Sequence, residues 1–494
     1  MRVLVTGGTG VVGTSTVTAL LQLGHAVRLL SRHAERDARQ WAQGVTPVEG
    51  DIADPETILG SADGCDAVLH LAAIVAESPP EVTFDRVNVA GTRHVVQEAE
   101  RAGIQRFVYV SSLGAERGTS PYHRSKRAAE EIVSGFSGSW LILRPGAVYG
   151  PGDEHLSVLL KMIRTLPVIP LIGDGDQRFQ PAWHEDIAEA LAMSVERADL
   201  SGRSLDMAGE EVTTQRELMQ LLQQITDRTQ VVLPIPEVLA SFGIKAAEQF
   251  GVDVGFNENQ MQMLVEGNVL SGDSTNALTQ VFGITPTPLR EGLKQLADVQ
   301  PEQLPSEGVG TLKQKRYWAD IQGCRLNADE LFDHLRTNFG RLMPQPVETQ
   351  AEPGTSTRVD EGETLTLSLP LRGHIQVRVA EVADRRFTLM TLDGHPLAGA
   401  VRFETAPQPN GAVRFEITVY DRAATVVDLV MMRTLGDFMQ DGTWTSLVEN
   451  VVKDSGGTAE VHNTGHDLSE SESKGVQQWA EELVLARKRD EAGV

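Results

Sequence analysis

The first thirteen residues carry the pattern that most limits the fold. An apolar run at residues 2–5 leads into Thr6-Gly7-Gly8-Thr9-Gly10-Val11-Val12-Gly13, and a helical pattern follows as far as Gly24. In a strand–turn–helix unit, glycines at this spacing allow a tight turn, close approach of a pyrophosphate and packing of the helix on the strand. The N-terminus of the helix then favours phosphate charge. We therefore predict a dinucleotide-binding turn with cofactor contacts from Gly7, Gly10, Val11, Val12 and Gly13.

Apolar runs and helical patterns alternate as far as about residue 298. The runs at 27–30, 67–71, 107–110 and 140–143 are continuous, which is typical of parallel strands covered on both faces. Helical patterns at 87–101 and 122–133 lie between the later runs. This repeated strand–helix–strand order predicts the α/β class, with a doubly wound, Rossmann-type parallel sheet over residues 1–298.

The pattern changes after residues 299–309, a stretch with two prolines and a glycine that we interpret as a linker. Residues 364–369 and 413–419 alternate polar with apolar side chains, and Asp393-Gly394 and Asn410-Gly411 are typical hairpin turns. Helical patterns at 328–339 and 427–452 flank these runs. We therefore expect an α+β domain at 310–454. Residues 455–494 are expected to form an acidic, solvated tail with a short helix near 475–490.

The composition limits partners and location. Asp and Glu outnumber Lys and Arg by 68 to 44, a formal charge of −24, so nucleic acids and anionic membrane surfaces are poor partners. Cys65 and Cys324 cannot form a disulfide framework or a thiolate zinc site, and His374 and His395 lack spaced partners, so no metal site is expected. We expect neither a signal peptide nor a transmembrane helix, and we expect a reducing, cytoplasmic location.

The residues after the second apolar run bear on the choice of nicotinamide cofactor. An acid there would bind the ribose 2′-hydroxyl and favour NAD(H), but the chain has Ser31, Arg32 and His33, with Arg36 a turn further on. A guanidinium can bind a 2′-phosphate through two hydrogen bonds, and a hydroxyl can add a third. We therefore favour NADP(H) over NAD(H). Further cofactor contacts are expected after the third and fourth strands, from Asp51, Ile52, Ala72 and Ala73.

Tyr122 and Lys126 lie four residues apart and are therefore neighbours on one face of a predicted helix. Ser120 and Pro121 are typical of the N-cap and the first helical position, which places the pair in the first turns. An ammonium group lowers the pKa of a nearby phenol and makes it usable as a proton donor or acceptor. We predict Tyr122 as the catalytic acid/base and Lys126 as its partner.

The strand before this helix ends in Ser111 and Ser112. Either hydroxyl can hydrogen bond a substrate carbonyl while the tyrosine moves the proton, and Ser112 is our first candidate. With a nicotinamide cofactor, such a site predicts hydride transfer to or from a substrate carbon.

Seven motifs across residues 1–298 resemble the short-chain dehydrogenase/reductase superfamily, of the extended or atypical kind. They are the glycine turn and segments 70–73, 88–92, 110–112, 122–126, 144–152 and 180–188. The resemblance implies a Rossmann fold, an NAD(P) cofactor that also contacts Tyr122, Lys126, Pro145 and Val148, and catalytic roles for Ser112, Tyr122 and Lys126. The spacing of ten residues from Ser112 to Tyr122 is shorter than in many extended members, which leaves the choice between the two serines open.

Tyr122-His123-Arg124-Ser125-Lys126 and Ile172-Gly173-Asp174-Gly175 are most similar to the branch that contains the nucleotide-binding accessory subunit of respiratory complex I. Relatives in this branch include structural subunits and redox sensors that hold NADP(H) without known turnover. The segment from about 150 to 290 would form the substrate lobe. Its apolar residues indicate either an apolar substrate or ordinary core packing: Leu156, Leu159, Met162, Ile169, Met261 and Met263.

The order of strands and helices at 310–454, and the motif at 394–399, resemble a helix-grip (START-like) domain. That fold implies a cavity for a hydrophobic ligand, lined by residues such as Met390, Met431, Met432 and Met439, although a filled core fits the pattern equally well. Three functions therefore stay open. They are an NADP(H)-dependent oxidoreductase, epimerase or dehydratase acting on a small, apolar carbonyl or hydroxyl compound; an NADP(H)-binding regulatory or assembly protein with a protein partner; and a carrier of a hydrophobic molecule.

Overall fold

The computed structural model describes residues 1–491 except 42, 154, 166–167, 227–229, 237–267, 273, 299–300, 345–347, 352–357, 370–372, 426–427 and 430–436. Contacts divide the chain into two compact units, with residues 1–163 and 167–299 in the first and residues 300–493 in the second. Met261, Met263, Met431 and Met432, which were considered as ligand-lining residues, lie outside the described residues. Among the described helices, none has the length and apolarity needed to cross a bilayer.

The first unit has thirteen described strands. They are β1 (Arg2–Thr6), β2 (Ala26–Ser31), β3 (Val45–Glu49), β4 (Ala67–His70), β5 (Arg106–Val110), β6 (Ser139–Pro145), β7 (Val148–Tyr149), β8 (Val168–Ile172), β9 (Arg178–Phe179), β10 (Ala182–Trp183), β11 (Arg203–Met207), β12 (Thr213–Thr214) and β13 (Val231–Ile235). Its α-helices are α1 (Val11–Gln22), α2 (Ala34–Asp37), α3 (Gly91–Arg101), α4 (Pro121–Ser134), α5 (Leu156–Thr165), α6 (His184–Ser194), α7 (Gln215–Ile225), α8 (Ala277–Gln280) and α9 (Leu289–Asp298).

Seven of these strands form one parallel sheet in the order β11-β6-β5-β4-β1-β2-β3. The strands are short apolar runs, and their side chains are buried in two separate layers on the two faces. The chain order reverses between β1 and β4, which creates a crevice at the carboxyl ends of these strands where doubly wound sheets bind their ligands. The predicted Rossmann-type sheet is confirmed, and it fixes where a site must lie.

The rest of the first unit forms a smaller lobe from three two-stranded pairs, β7–β10, β8–β13 and β9–β12, with α5, α7 and α9. Leu156, Leu159 and Ile169 are at most 5% exposed and lie in one apolar cluster, against which Met162 packs. Of the two interpretations given above for these four residues, core packing is therefore the correct one.

The second unit is an eight-stranded sheet in the order β15-β16-β17-β18-β19-β20-β14-β21, in which every neighbouring pair is antiparallel. Its strands are β14 (Val309–Ile321), β15 (Glu348–Ala351), β16 (Thr364–Leu369), β17 (Gly373–Ala383), β18 (Arg386–Thr391), β19 (Leu397–Pro407), β20 (Val413–Ala423) and β21 (Val461–Asp467). Its α-helices are α10 (Ala328–Leu342), α11 (Asp437–Asp454) and α12 (Glu470–Glu491).

One face of this sheet is covered by α10 and α11 over a shared apolar cluster. At its centre the rings of Phe387 and Phe403 stack with centroids 4.6 Å apart, and Phe339 packs edge-on against both. Met390 belongs to a different cluster, with Ala480 of α12. Met390 therefore does not line the interior under α10 and α11, contrary to that expectation.

The described residues of the expected tail, 455–491, do not form a solvated tail. β21 pairs with β14 over seven residues, and α12 packs Ala480 and Val484 onto the sheet. The prediction was wrong because β21 is held by backbone hydrogen bonds at the sheet edge, where six of its seven side chains are exposed and need no apolar pattern.

The described part of the expected linker, residues 301–309, is likewise packed into the second unit. Glu302 is 2% exposed at its side chain, and its carboxylate accepts hydrogen bonds from Arg378 at 2.9 Å and Arg487 at 2.6 Å. Proline-rich composition indicated a linker, but composition cannot reveal long-range ion pairs that bury such a stretch.

Candidate active site

The glycine turn has the geometry that its spacing predicts. Gly7 has φ +72°, and a Cβ added there would lie 2.6 Å from the amide nitrogen of Ala72. A Cβ at Gly13 would lie 2.1 Å from the carbonyl oxygen of Gly7, whereas one at Gly10 would meet no protein atom closer than 3.7 Å. The turn thus closes tightly at its two ends and stays open at Gly10.

The N-terminus of α1 faces this open position. Gly10 is the N-cap and offers no side-chain cap, so the first amides of the helix, those of Val11, Val12 and Gly13, are available to a ligand. Phosphate oxygens match both the amide donors and the helix dipole. The residues present therefore fit the pyrophosphate of a dinucleotide.

The charged side chains at the end of β2 differ in whether they are paired. The hydroxyl of Ser31 donates to the carboxylate of Asp37, and Arg36 donates to the same carboxylate at 3.2 Å. Arg36 is therefore paired with Asp37 in this structure, although its side chain is 58% exposed. Arg32 is exposed and makes no hydrogen bond or ion pair with the residues that the structure describes.

Two further predicted cofactor positions lie along the same edge of the sheet. Asp51 and Ile52 follow β3, where the Asp51 carboxylate accepts a hydrogen bond from the amide of Ala53 at 2.9 Å and Ile52 is 8% exposed. Ala72 and Ala73 follow β4 and are half-buried. The amide of Ala72 donates to the hydroxyl of Thr6 at 3.3 Å, which ties this loop to the glycine turn.

His70 joins the strands beneath the crevice. Its Nδ1 lies 2.6 Å from the hydroxyl of Thr6 on β1, and its Nε2 lies 3.0 Å from that of Thr92 on α3. Burial, and then the charge of Lys126, lower the pKa of His70 to about 3. The imidazole is therefore neutral at physiological pH.

This histidine makes the first unit acid-sensitive. His70 binds a proton near pH 6.5 in the unfolded chain but only near pH 3 in the folded chain. As the pH falls from about 6.5 to about 3, the free energy of unfolding therefore decreases by up to about 1.4 kcal/mol per pH unit. His70→Asn should remove this contribution, measured by native-state hydrogen exchange of β1 and β4 amides below pH 6.5. The exposed His466→Asn is the control, and equal pH slopes for His70→Asn and the parent would contradict the assignment.

Lys126 lies on α4 and is 2% exposed. Its Nζ donates to the carbonyl of Val110, the last residue of β5, at 2.7 Å, and lies 4.5 Å from the centroid of the Tyr109 ring. Burial lowers the pKa of Lys126 to about 7, against an opposing effect of Glu130. The lysine is thus held at the carboxyl end of the sheet. At neutral pH its charged and neutral forms are present in similar amounts.

Tyr122 lies one turn before Lys126 and is half-buried, and its ring packs edge-on against Phe84 at 6.1 Å. The helix begins as predicted, because the hydroxyl of Ser120 accepts a hydrogen bond from the amide of His123 at 3.3 Å and Pro121 is the first helical residue. The His123 ring fills the space beside Gly114 and Gly118, where added Cβ atoms would lie 2.2–2.3 Å from it. The short loop between the serines and the tyrosine is therefore wrapped around this histidine.

Ser111 and Ser112 directly follow β5, beside the carbonyl that binds Lys126. The amide of Ser111 donates to Leu143 at 2.7 Å, and its hydroxyl is buried without a hydrogen-bond partner among the described residues. Ser112 is 8% exposed and precedes a 3₁₀ turn at Leu113–Ala115. Both serines therefore lie at the predicted place, and the choice between them stays open.

Pro145 ends β6, and Val148 begins β7. The amide of Gly146, between them, donates to Met207 at 2.8 Å, which fixes the turn at the carboxyl end of the sheet. Pro145 is buried and Val148 half-buried. Their contact with a nicotinamide stays a prediction.

Asn88, for which no catalytic role is predicted from the sequence, links two walls of the crevice. Its side chain exchanges hydrogen bonds with the backbone of Ile74 at 2.8 and 3.0 Å and donates to the hydroxyl of Ser125 at 3.0 Å. Asn88 lies in a π-helical turn, Asp85–Ala90, a feature frequent at functional sites. The sequence feature that could have indicated this role is an asparagine inside a helical pattern.

Comparison with known proteins gives two family matches. Residues 3–208 match the NAD dependent epimerase/dehydratase family. Residues 329–446 match a domain of unknown function, DUF1990.

Two bacterial proteins are among the relatives of the first unit. The sterol demethylase protein B of Methylococcus capsulatus is 32% identical over 267 residues, which cover 48% of this chain and 78% of that protein. The chain belongs to the NAD-dependent epimerase/dehydratase family. A ceramide reductase of Caulobacter vibrioides is 37% identical over 172 residues, 35% of this chain, and the chain spans only 54% of that protein.

A mitochondrial NADH dehydrogenase subunit of Arabidopsis thaliana (alpha subcomplex subunit 9) is 28% identical over 244 residues, 47% of this chain and 60% of that protein. Family membership confirms the resemblance seen in residues 1–298, including a relative among complex I subunits. The helix-grip interpretation of the second unit stays a prediction, because its match carries no described fold or activity.

Proposed function

We propose that the protein is an NADP(H)-dependent oxidoreductase that interconverts a carbonyl and a hydroxyl group on an apolar substrate. The observation that carries this proposal is the position of Lys126, one helical turn from Tyr122 and bonded to the end of β5 at the carboxyl edge of a sheet whose β1 turn fits a pyrophosphate. Membership in an NAD-dependent family supports a nicotinamide dinucleotide at this edge.

The residues of the site provide proton transfer and orientation. The bound cofactor supplies the hydride. Tyr122 donates a proton to the carbonyl oxygen during reduction and accepts it back during oxidation, and the ammonium of Lys126 favours the phenolate that remains. Ser112 or Ser111 hydrogen bonds the same oxygen and orients it towards the phenol. The same groups serve an epimerase or dehydratase, which also begins with oxidation at a hydroxyl carbon.

The apolar substrate class rests on the relatives and not on the lobe residues named from sequence. A ceramide reductase and a sterol demethylase protein act, by their names, on large apolar molecules. We extend that class to this chain. The most direct test offers the full chain NADPH or NADH with apolar ketones and small polar carbonyl compounds. The proposal predicts oxidation of NADPH with at least one apolar ketone, and no oxidation across the panel by protein that binds NADPH would overturn it.

Arg32 supports the choice of NADP(H). Asp37, a buried acid close to the end of β2, is bound by Ser31 and Arg36, whereas Arg32 is exposed and pairs with none of the described residues. Arg32→Ala should weaken NADPH binding about 10- to 100-fold by removing charge-assisted hydrogen bonds, while NADH binding stays the same. Isothermal titration with both cofactors measures this. Arg39→Ala, an exposed arginine further along, is the control, and equal losses for both cofactors would exclude the role.

A non-catalytic, NADP(H)-binding role in an assembly is the second candidate. The specific observation in its favour is the similarity to a mitochondrial NADH dehydrogenase subunit. It predicts tight cofactor binding, no turnover and a protein that co-purifies with the chain. A carrier of a hydrophobic molecule stays a third candidate, which a ligand that co-purifies with the second unit would favour.

A further inference from the structure

The carbonyl of Val110 and the ring of Tyr109, neighbours on β5, surround the buried ammonium of Lys126. The carbonyl accepts its hydrogen bond at 2.7 Å, and the ring centroid lies 4.5 Å from Nζ. Tyr109 is itself 1% exposed, so water does not screen this contact. An aromatic face attracts a cation, most strongly where both are desolvated.

We propose that Tyr109 is a positioning residue for the active site, whose ring face keeps Lys126 in its ammonium form beside Tyr122. The proposal rests on the proposed function, since it gives Lys126 the role of stabilising the phenolate. It extends that function by naming the group that sets the charge of the lysine.

Among the other groups around Lys126, Glu130 also favours the ammonium form. On α4, the carboxylate of Glu130 is bound by Arg144 through two hydrogen bonds of 2.8 and 2.6 Å, which offsets much of its charge. On β4, His70 stacks on the Tyr109 ring at 5.5 Å and is neutral because burial lowers its pKa. Tyr122 lies one turn earlier on α4. Tyr109 stays protonated and uncharged, because burial raises its pKa well above the ordinary value.

Two substitutions separate the ring from the hydroxyl. Tyr109→Phe keeps the aromatic face, and Tyr109→Leu removes it. The chain has nine lysines, so the ¹³Cε resonances of labelled lysine can be followed by NMR in the full chain without cofactor or substrate, with Lys126→Met identifying the signal. We expect the Lys126 titration midpoint of Tyr109→Leu about one pH unit below that of the parent, and that of Tyr109→Phe unchanged.

Phe107→Leu controls for the loss of a buried ring. Phe107 lies on the same face of β5, is fully buried, and packs against His70 and Phe136. It should lower the Tm without moving the Lys126 titration. The proposal is wrong if the Lys126 titration midpoint in Tyr109→Leu equals that of the parent. It is also wrong if this midpoint moves as far in Tyr109→Phe or Phe107→Leu as it does in Tyr109→Leu.

The pH–rate profile gives the second readout. In Tyr109→Leu the decline of kcat with rising pH should move down by the same amount as the Lys126 titration, while the KM for the cofactor stays within about twofold. A kcat profile that does not move would also overturn the proposal. Absence of turnover in the parent, together with a shifted Lys126 titration, would contradict the proposed function and leave the inference about the lysine standing.

Discussion

Tyr122→Phe is expected to lower kcat by a factor of about 10²–10⁴, while NADPH binds as tightly as to the parent. The phenol hydroxyl is the only group that this change removes, and the ring keeps its packing against Phe84. The proton needed by the carbonyl oxygen must then come from water, without the help of the Lys126 ammonium. Single-turnover kinetics with pre-bound cofactor isolates the chemical step, and a binding titration checks the cofactor.

Tyr420→Phe is the matched control for this loss. Tyr420 is also half-buried, lies in the second unit and accepts a hydrogen bond from Gln314 at 3.1 Å, so its replacement removes a comparable hydroxyl far along the chain from the proposed site. Its turnover should match that of the parent. A Tyr122→Phe protein that retains more than about a tenth of the parent kcat would remove Tyr122 from the mechanism.

Gly13→Ala is expected to abolish cofactor binding within the measurable range, a loss of at least about 100-fold, and to lower the Tm by several degrees. The added Cβ would lie 2.1 Å from the carbonyl oxygen of Gly7 and 2.8 Å from the Cα of Gly8. These are backbone atoms, so the turn itself must move, and the amides that would hold the pyrophosphate move with it. Thermal unfolding and isothermal titration with NADPH measure the two effects.

Gly10→Ala separates binding from folding in the same turn. Its Cβ would make only an ordinary contact, 3.7 Å from the Gly7 carbonyl oxygen, so the Tm should stay near that of the parent. The methyl group would occupy the side from which the pyrophosphate approaches, and NADPH affinity should fall. Parent-like NADPH binding by Gly13→Ala would contradict the assignment of the turn.

The features that sequence predicted best depend on neighbours along the chain. Glycines 7, 10 and 13 specify the turn through their own backbone, and Ser120, Pro121, Tyr122 and Lys126 form one helix start. The continuous apolar runs predicted the parallel sheet because both of its faces are buried. In each case the residues responsible lie within a few positions of one another, so the feature can be predicted from the sequence alone.

The features that it missed depend on residues far apart in the chain. Glu302 is buried by arginines 76 and 185 residues away, and β21 is held by backbone pairing at a sheet edge. The ion pair between Arg36 and Asp37 could not be predicted from the sequence either, because the side chains of adjacent residues can point in different directions. The contact between Tyr109 and Lys126 likewise requires knowing which face of β5 receives α4.

The central claim is that this site moves a hydride between a nicotinamide and the carbon of an apolar carbonyl compound, with Tyr122 moving the proton. Reaction of the full chain with NADPH deuterated at the transferable position, followed by mass spectrometry of the product alcohol, tests it most directly. We expect one deuterium on the former carbonyl carbon with the parent, and about 10²–10⁴ times less deuterated product in the same time with Tyr122→Phe. Product without deuterium at that carbon from either C4 position of the cofactor, or equal amounts of deuterated product from the two proteins, would contradict the claim.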